Sequence, residues 1–416
     1  MTDIIVPSLL WYGNKAIKLT FPDEWKINVC HMHGYNLQRL TINKIRQKIY
    51  HPIGKKRLSK LAKEKEEAVI LFDDLTRPTQ ARYIVPYVLE ELRRARIMND
   101  HIRFICAIGA HAPCNRIDFS KKLGGDIVEQ YPIYNHSPFH NLTYVGETTY
   151  GTPVEINSEV MECDLKIGIG CIIPHPMTGF TGGAKIVMPG VASIKSIIHN
   201  HCNIGNECFD RISTTGWRDP RLNDVRRDME EFAKMIELDF KIDVLVNERG
   251  EIVDLVSGDF VKGYERGIEL GKQIYKTKLP RDKADIVIAN TYMKANQAVN
   301  GLRIAIEAVK EGGIVVLIAN APEGQNMHYL YGKFGKKRGG MLWSAPPIYK
   351  KNVDIIVYSE YIEKDPLLEI ADPETLEWVK DWSEVMELLK NKVSSSPKVT
   401  VFPCAGIQVP SYIFEQ

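Results

Sequence analysis

A chain of 416 residues exceeds one ordinary small domain, and two domains are the natural expectation. Its 44% hydrophobic and 25% charged residues are those of a globular protein, and a net charge of +2 excludes a nucleic-acid surface or a polybasic membrane patch. The eight scattered cysteines form no Cys-x-x-Cys pair, which excludes a zinc ribbon and a disulfide framework. No apolar run approaches the ~20 residues of a membrane helix. With Asp3 near its start, the N-terminal stretch does not read as a signal peptide, and a reducing cytoplasm is the expected location.

In chain order, short β-branched runs at 68–72, 104–108, 165–169, 286–289, 315–319 and 355–358 read as buried strands, with a last strand at 398–402. Between them, 79–95, 223–236, 260–275, 298–311 and 375–390 carry helical periodicity. This alternation predicts two α/β domains with mostly parallel sheets and an active-site cleft between them. The polar segment 277–284, with Pro280, sets the boundary: 1–278 is the first domain and 279–416 the second, with the last 15 or so residues free to pack back on the first. The basic runs Lys55-Lys56-Arg57 and Lys336-Lys337-Arg338 read as solvated loops.

Strand ends carry the chemistry. Asp73-Asp74-Leu75-Thr76-Arg77-Pro78 follows the first strand directly, at the crest where open α/β sheets bind ligands. Arg77 suits a carboxylate held by paired bonds, and Asp74 suits the orientation of an imidazole. The plainer alternative is that an aspartate caps the next helix and pairs with Arg77. Gly109-Ala110-His111-Ala112-Pro113 leaves His111 at a neighbouring crest.

The densest stretch runs from His175 to His201. Gly179, Gly182, Gly183 and Ala184 precede Lys185, so a planar or phosphorylated group could lie against bare backbone and meet the amine as a charge or a nucleophile. His175 and His201 flank it as acid, base or metal ligand. A nucleotide P-loop is excluded, because Ala184 stands where its second glycine belongs and Ile186 where its magnesium hydroxyl belongs. His199 and His201 have metal-ligand spacing, but in an extended segment only one ring would reach a given site. The remaining histidines, His328 among them, read as background.

Together, Asp-Asp-x-Thr-Arg-Pro, Gly-x-His-x-Pro and His-Pro-x-x-Gly-Phe-x-Gly-Gly-x-Lys-x-x-x-Pro-Gly followed by Asn-His resemble the nickel-dependent lactate racemase family. Tyr12-Gly13 and Gly312-Gly313 extend the resemblance over most of the chain. It implies an isomerase, a racemase or epimerase of a 2-hydroxy acid, working by reversible hydride transfer. The implied cofactor is a nickel-pincer nucleotide, a pyridinium mononucleotide made by separate cofactor-biosynthesis proteins. The resemblance assigns its covalent attachment to Lys185, the nickel ligand to His201, and acid and base to His111 and His175. Asp74, Thr76, Gly182 and Gly183 fall on the cofactor side and Arg77 on the substrate side.

Relatives typically carry a Tyr-Gln pair and then a lysine in the second domain. Here Asn296 precedes Gln297, Asn300 stands near the lysine position, and Lys294 lies just upstream. Ala112 also replaces a common arginine after His111. Gln297, Lys294 and Asn300 are therefore the candidate substrate-binding residues, and a more hydroxylated acid than lactate is the expected substrate. Two other readings stay open: a hydroxy-acid dehydrogenase or lyase, although no Gly-x-Gly-x-x-Gly follows an opening strand, and a non-catalytic protein that binds a carboxylate or metal.

Overall fold

The strand Ala68–Phe72 has no polar face; all five of its residues are buried, as in a parallel sheet covered on both sides. Ile70 and Phe72 enter one apolar cluster while Val69 and Leu71 enter the other, following the period of two. The computed structural model describes residues 1–205, 222–330, 335, 337, 352–362, 376–393 and 395–415. Lys336 and Arg338 of the second basic run and Thr375 of the last expected helix lie outside the described residues.

Ala68–Phe72 is one of two central strands in a six-stranded sheet ordered Ile252–Gly258, Phe240–Val246, Leu165–Cys171, Ala68–Phe72, Ile102–Cys106, Ile133–Asn135. Only its first pair is antiparallel. The second six-stranded sheet, ordered Glu377–Val379, Asp354–Tyr358, Val309–Ile318, Ala284–Asn290, Lys398–Phe402, Lys26–Val29, is parallel throughout. The α/β expectation therefore holds, with mostly parallel sheets.

Both sheets reverse their winding. From Ala68–Phe72 the chain adds two strands on one side, then returns to the other side with Leu165–Cys171. From Ala284–Asn290 it adds three strands on one side before returning to the other with Lys398–Phe402. Such switch points open a crevice beyond the carboxyl ends of the flanking strands, where ligands bind. Every loop with candidate chemistry in the first domain leaves that edge: Phe72 pairs with Cys106 and with Ile169, so residues 73–77, 107–113 and 172–185 emerge side by side.

The pairing ties both ends of the chain to distant segments. The hairpin of Thr2–Ser8 and Lys15–Phe21 buries Val6, Leu19 and Phe21 with Ile286, Ile288 and Val399, and Lys26–Val29 pairs with Lys398–Val401. Lys26–Val29 is therefore a strand of the second sheet, and the hairpin before it packs against that sheet rather than the first one. Their mixed exposure carries no sign of which sheet they join. At the other end, Val409–Pro410 pairs with Lys276–Thr277 and the Phe414 ring stacks on Phe180 at 6.0 Å.

Other boundaries moved by a few residues. The strand expected at 104–108 is Ile102–Cys106, and the helix expected at 298–311 stops at Ala308 because Val309–Ile318 is already strand. Phe240–Val246 and Ile252–Gly258, absent from the expected set, complete the first sheet. Helix Lys262–Tyr275 packs by a stripe of small residues: a side chain at Gly267 would meet Ile172 Cδ1 at 2.0 Å. That close approach seats the loop leading to His175.

Candidate functional site

Asp73 and Asp74 diverge from adjacent positions, and neither caps a helix. Asp73 accepts from Lys122 Nζ at 2.5 Å and Thr79 Oγ1 at 2.6 Å. Lys122, only 1% exposed, also donates to the carbonyls of Asp74 and Arg77, 3.0 Å each, and so staples the loop. Nothing in the sequence marked this lysine, because its partners are mostly backbone oxygens far away along the chain.

Asp74 faces the site. Its Oδ1 accepts from the Thr76 amide at 2.9 Å and from the Thr76 hydroxyl, and its Oδ2 lies 2.6 Å from His111 Nδ1. Burial raises its pKa, but His111, Arg77 and Thr76 outweigh burial and hold the carboxyl well below the usual carboxylate range. A carboxylate only accepts, so His111 Nδ1 carries the proton it shares with Asp74, and Nε2 is the nitrogen left to meet a ligand. His175 is wired the opposite way. Its Nδ1 accepts from Met177 N at 3.3 Å and lies 3.2 Å from Thr178 Oγ1, which puts the proton of the neutral ring on Nε2. Burial first, then the charges of Lys185, Arg77, Lys294 and His201, push its pKa well down.

Lys185 sits on the short 3-10 turn Gly183–Ile186, 9% exposed. Its amine makes no hydrogen bond or ion pair among the described residues. Burial, with Arg77 and Arg226 nearby, pushes its pKa well below 10.5, which favours the neutral, nucleophilic amine. The glycines before it work differently from the sequence expectation. A side chain at Gly183, φ +54°, would meet Arg226 Nη2 at 2.1 Å and the Phe260 carbonyl at 2.9 Å; one at Gly182 would meet Ile172 at 2.7 Å. Protein already fills the space beside both. Gly183 N donates to Asp243 Oδ2 at 2.7 Å and Gly182 O accepts from Arg226 Nη1 at 2.8 Å. The glycines let the turn seat on buried polar groups; they do not open a bare surface to a ligand.

His199 and His201 lie in a helix, not an extended segment: Ile194–Ile198 runs on into the π-helical turn His199–Ile204. The wider turn separates the rings. His199 Nδ1 lies 2.8 Å from Thr152 Oγ1, whereas His201 is 6% exposed and its buried Nδ1 has no hydrogen-bond partner. Burial, then the Lys185 and His111 charges, push its pKa down to about 3, so the ring is neutral and available to a metal. Among the described residues no three His, Cys, Asp or Glu side chains gather as a metal-binding set.

The second domain brings Gln297 and Lys294. Its Tyr292–Gly301 segment is helical except at those two residues, where the backbone kinks. Gln297 Oε1 accepts from Arg77 Nη1 and from Lys294 Nζ, 3.2 Å each. Arg77 Nη1 also donates to Thr76 Oγ1 at 2.8 Å. Lys294 is 1% exposed, and burial, with Arg77 beside it, pushes its pKa well down. Neither Arg77 nor Lys294 forms an ion pair with a carboxylate among the described residues, so a small acid is the ligand this guanidinium and this amine suit. Asn300 stands behind: its amide donates to the Gln297 carbonyl at 2.9 Å and supports the kink. Asn296 donates to Glu323 Oε1 at 3.0 Å.

His328, read as background in the sequence, lies at the site. Its ring packs edge-on against His111, centroids 5.3 Å apart at 64°, through an isolated antiparallel bridge between the two residues. A lone histidine in a loop, more than two hundred positions from His111, gave no signal of this.

Two switch points that share one polar cluster of imidazoles, a buried amine and an arginine–lysine pair suited to a carboxylate define an α/β enzyme of small acids. The model of the lactate racemase N-terminal domain matches residues 12–210. The lactate racemase of Thermoanaerobacterium thermosaccharolyticum is 26% identical over 431 residues, 97% of this chain and 98% of the relative. That of Lactiplantibacillus plantarum is 30% identical over 296 residues, 69% and 68% of the two chains. The solved lactate racemase apoprotein of T. thermosaccharolyticum superposes with a TM-score of 0.76 over 98% of this chain and 99% of that one. A Thermotoga maritima crystal structure, 20% identical, shares the fold with a TM-score of 0.65 over 89% of this chain and 98% of its own. The chain belongs to the lactate racemase family, and it is an isomerase.

Proposed function

We propose that the protein racemises or epimerises a 2-hydroxy acid with a nickel-pincer nucleotide attached at Lys185. The observation that carries this reading is the pairing of a buried, unbonded amine with a buried imidazole whose Nδ1 has no partner, beside the Asp74–His111 pair. These residues fit such a group. The neutral Lys185 amine suits a covalent link, and His201 suits one metal position. With no ligand set of side chains around His201 among the described residues, the remaining ligands would come from the group itself. When bound, the group supplies reversible hydride acceptance at carbon; the protein positions it and tunes it.

The chain's own residues account for the rest. Arg77 and Lys294 hold the substrate carboxylate, steered by Gln297 between them. Inversion at C2 requires hydride to leave one face and return to the other, while the hydroxyl oxygen loses and regains one proton. His111 takes that proton at its bare Nε2, and Asp74 stabilises the imidazolium that forms. His175, with its proton on Nε2, donates a hydrogen bond to the oxygen while it is a carbonyl. Two rings on the substrate let either enantiomer meet an imidazole.

Asn296 and Asn300 each donate an amide bond within the second domain, while the buried Asn296 Oδ1 has no hydrogen-bond partner among the described residues. The substrate is read from a panel. Protein made together with the cofactor-making enzymes is offered single enantiomers of lactate and of longer and polyhydroxy 2-hydroxy acids, and appearance of the other stereoisomer is followed by chiral separation. Interconversion of at least one acid, lost in His111→Ala, is expected. Stoichiometric reduction of added nicotinamide without interconversion would overturn the reading in favour of a dehydrogenase.

A further inference from the structure

We propose that His328 is a positioning residue for His111: supplied by the second domain, its ring blocks the rotation that Asp74 leaves open, so that His111 holds its working orientation only while residues 327–330 are seated on the first domain. The inference deepens the racemase reading and rests on it for its kinetic consequences.

Asp74 grips His111 at one atom, Nδ1. One hydrogen bond holds one edge of the ring but still lets the far edge shift by joint rotation about the Cα–Cβ and Cβ–Cγ bonds. The ring of His328 stands across the plane of His111, with centroids 5.3 Å apart and 64° between the rings. The contact is not a loose side chain drifting over the surface. Ala112 N donates to the Met327 carbonyl at 3.0 Å, and Tyr329 N donates to the Ala110 carbonyl at 2.8 Å, so the backbone is zipped on both sides of the histidine pair.

Beyond the bridge the segment is driven into the first domain. Leu330 is fully buried in the cluster that includes Ala110, Ala184 and Cys202, and the Tyr329 ring meets Phe139 at 5.0 Å. That cluster supports the His111 loop, the turn of Lys185 and the helix of His201 alike. The same chain reaches this point from strand Val309–Ile318 of the second sheet, so the seating of one domain on the other and the orientation of His111 are one event.

His328 is suited to sit beside a ring that gains a proton. Leu330 N donates to its Nδ1 at 3.1 Å, so its own proton lies on Nε2. Burial, and then His111, His201 and Lys185 against the opposing charge of Asp74, keep the ring neutral, which lets it pack on an imidazolium without charge repulsion.

The test uses the full chain with two substitutions, His328→Ala and His328→Phe. In cofactor-loaded protein, His328→Ala lowers kcat by roughly tenfold to a hundredfold with KM nearly unchanged, the size expected of a misplaced catalytic group, and His328→Phe, which restores a ring, recovers most of it. In the cofactor-free chain, side-chain nitrogen NMR of His111 shows one Nδ1–H tautomer in the wild type and in His328→Phe, and a broadened or mixed signal in His328→Ala. Unchanged His111 signals in His328→Ala would overturn the inference, as would a Phe variant no better than the Ala variant. If the NMR behaves as stated while no hydroxy acid is inverted by the loaded wild type, the positioning role stands and the racemase reading fails.

Discussion

The two halves of the site are built on opposite rules. Around Asp74 and His111 the orienting atoms are tied: Thr76 and His111 Nδ1 hold one carboxylate, and Lys122 and Thr79 hold its neighbour. Around Lys185 and His201 the atoms that matter are bare, although both residues are buried. Leaving such groups without partners costs stability, and wiring them would have been easy in a cluster this rich in donors and acceptors. The contrast separates two tasks. A proton-transfer pair works when its orientation and tautomer are settled beforehand, whereas a site for a covalently attached, metal-bearing group must keep its bonding positions unspent.

Breaking the tied half gives the largest expected change. Asp74→Asn leaves His111 without the acceptor that sets its tautomer, and kcat should fall by about 10²–10⁴-fold while nickel content stays at the wild-type level. Equal loss of nickel and activity would mean that Asp74 serves the cofactor instead. Lys122→Met removes the staple beneath the same loop and strands Asp73 as a buried charge; urea denaturation should show a loss of about 3–5 kcal/mol. A change under 1 kcal/mol would show that the loop holds itself.

The bare half should respond with the opposite sign. Lys185→Met ought to stabilise the cofactor-free chain by about 1–3 kcal/mol at neutral pH, because a buried amine without a partner is replaced by an apolar chain. The pH dependence follows from the lowered pKa of Lys185. Between its folded value and the ordinary 10.5 the unfolded chain binds the extra proton, so wild-type stability rises with pH through that window. The advantage of Lys185→Met is therefore larger at neutral pH than at pH 10.5, towards which it fades, read from urea midpoints of both proteins at each pH. The mildest expectation falls on Asn300→Ala. It removes one bond to the Gln297 carbonyl, worth about 1 kcal/mol, and KM should move no more than a few-fold. A large rise in KM would place Asn300 against the substrate.

Much of this was legible in the sequence, for identifiable reasons. Runs such as Ala-Val-Ile-Leu-Phe at 68–72 are buried on both faces and cannot be mistaken for alternating surface strands. The crest loops follow those strands directly, so Asp74, His111 and His175 come to one edge once the strands are neighbours. What escaped the sequence depends on contacts between remote segments. Strand Lys26–Val29 joins a sheet whose other members begin at residue 284, and its four residues have no pattern that selects a partner. The glycines at 182 and 183 point equally well to a ligand or to tight packing until Arg226 and Asp243 are seen filling the space. His328 is invisible for the same reason, since only the crossing of the second domain onto the first brings it to His111.

In the proposed reading Lys185 is kept bare in order to carry a metal-bearing group. The most direct measurement is intact mass together with bound nickel, on the wild type and Lys185→Ala produced alongside the cofactor-making enzymes. The account predicts an adduct that maps to Lys185 in the wild type, with nickel at a one-to-one ratio to the chain, and neither in the variant. An unmodified Lys185 without nickel, in cells that do load a known lactate racemase, would contradict it.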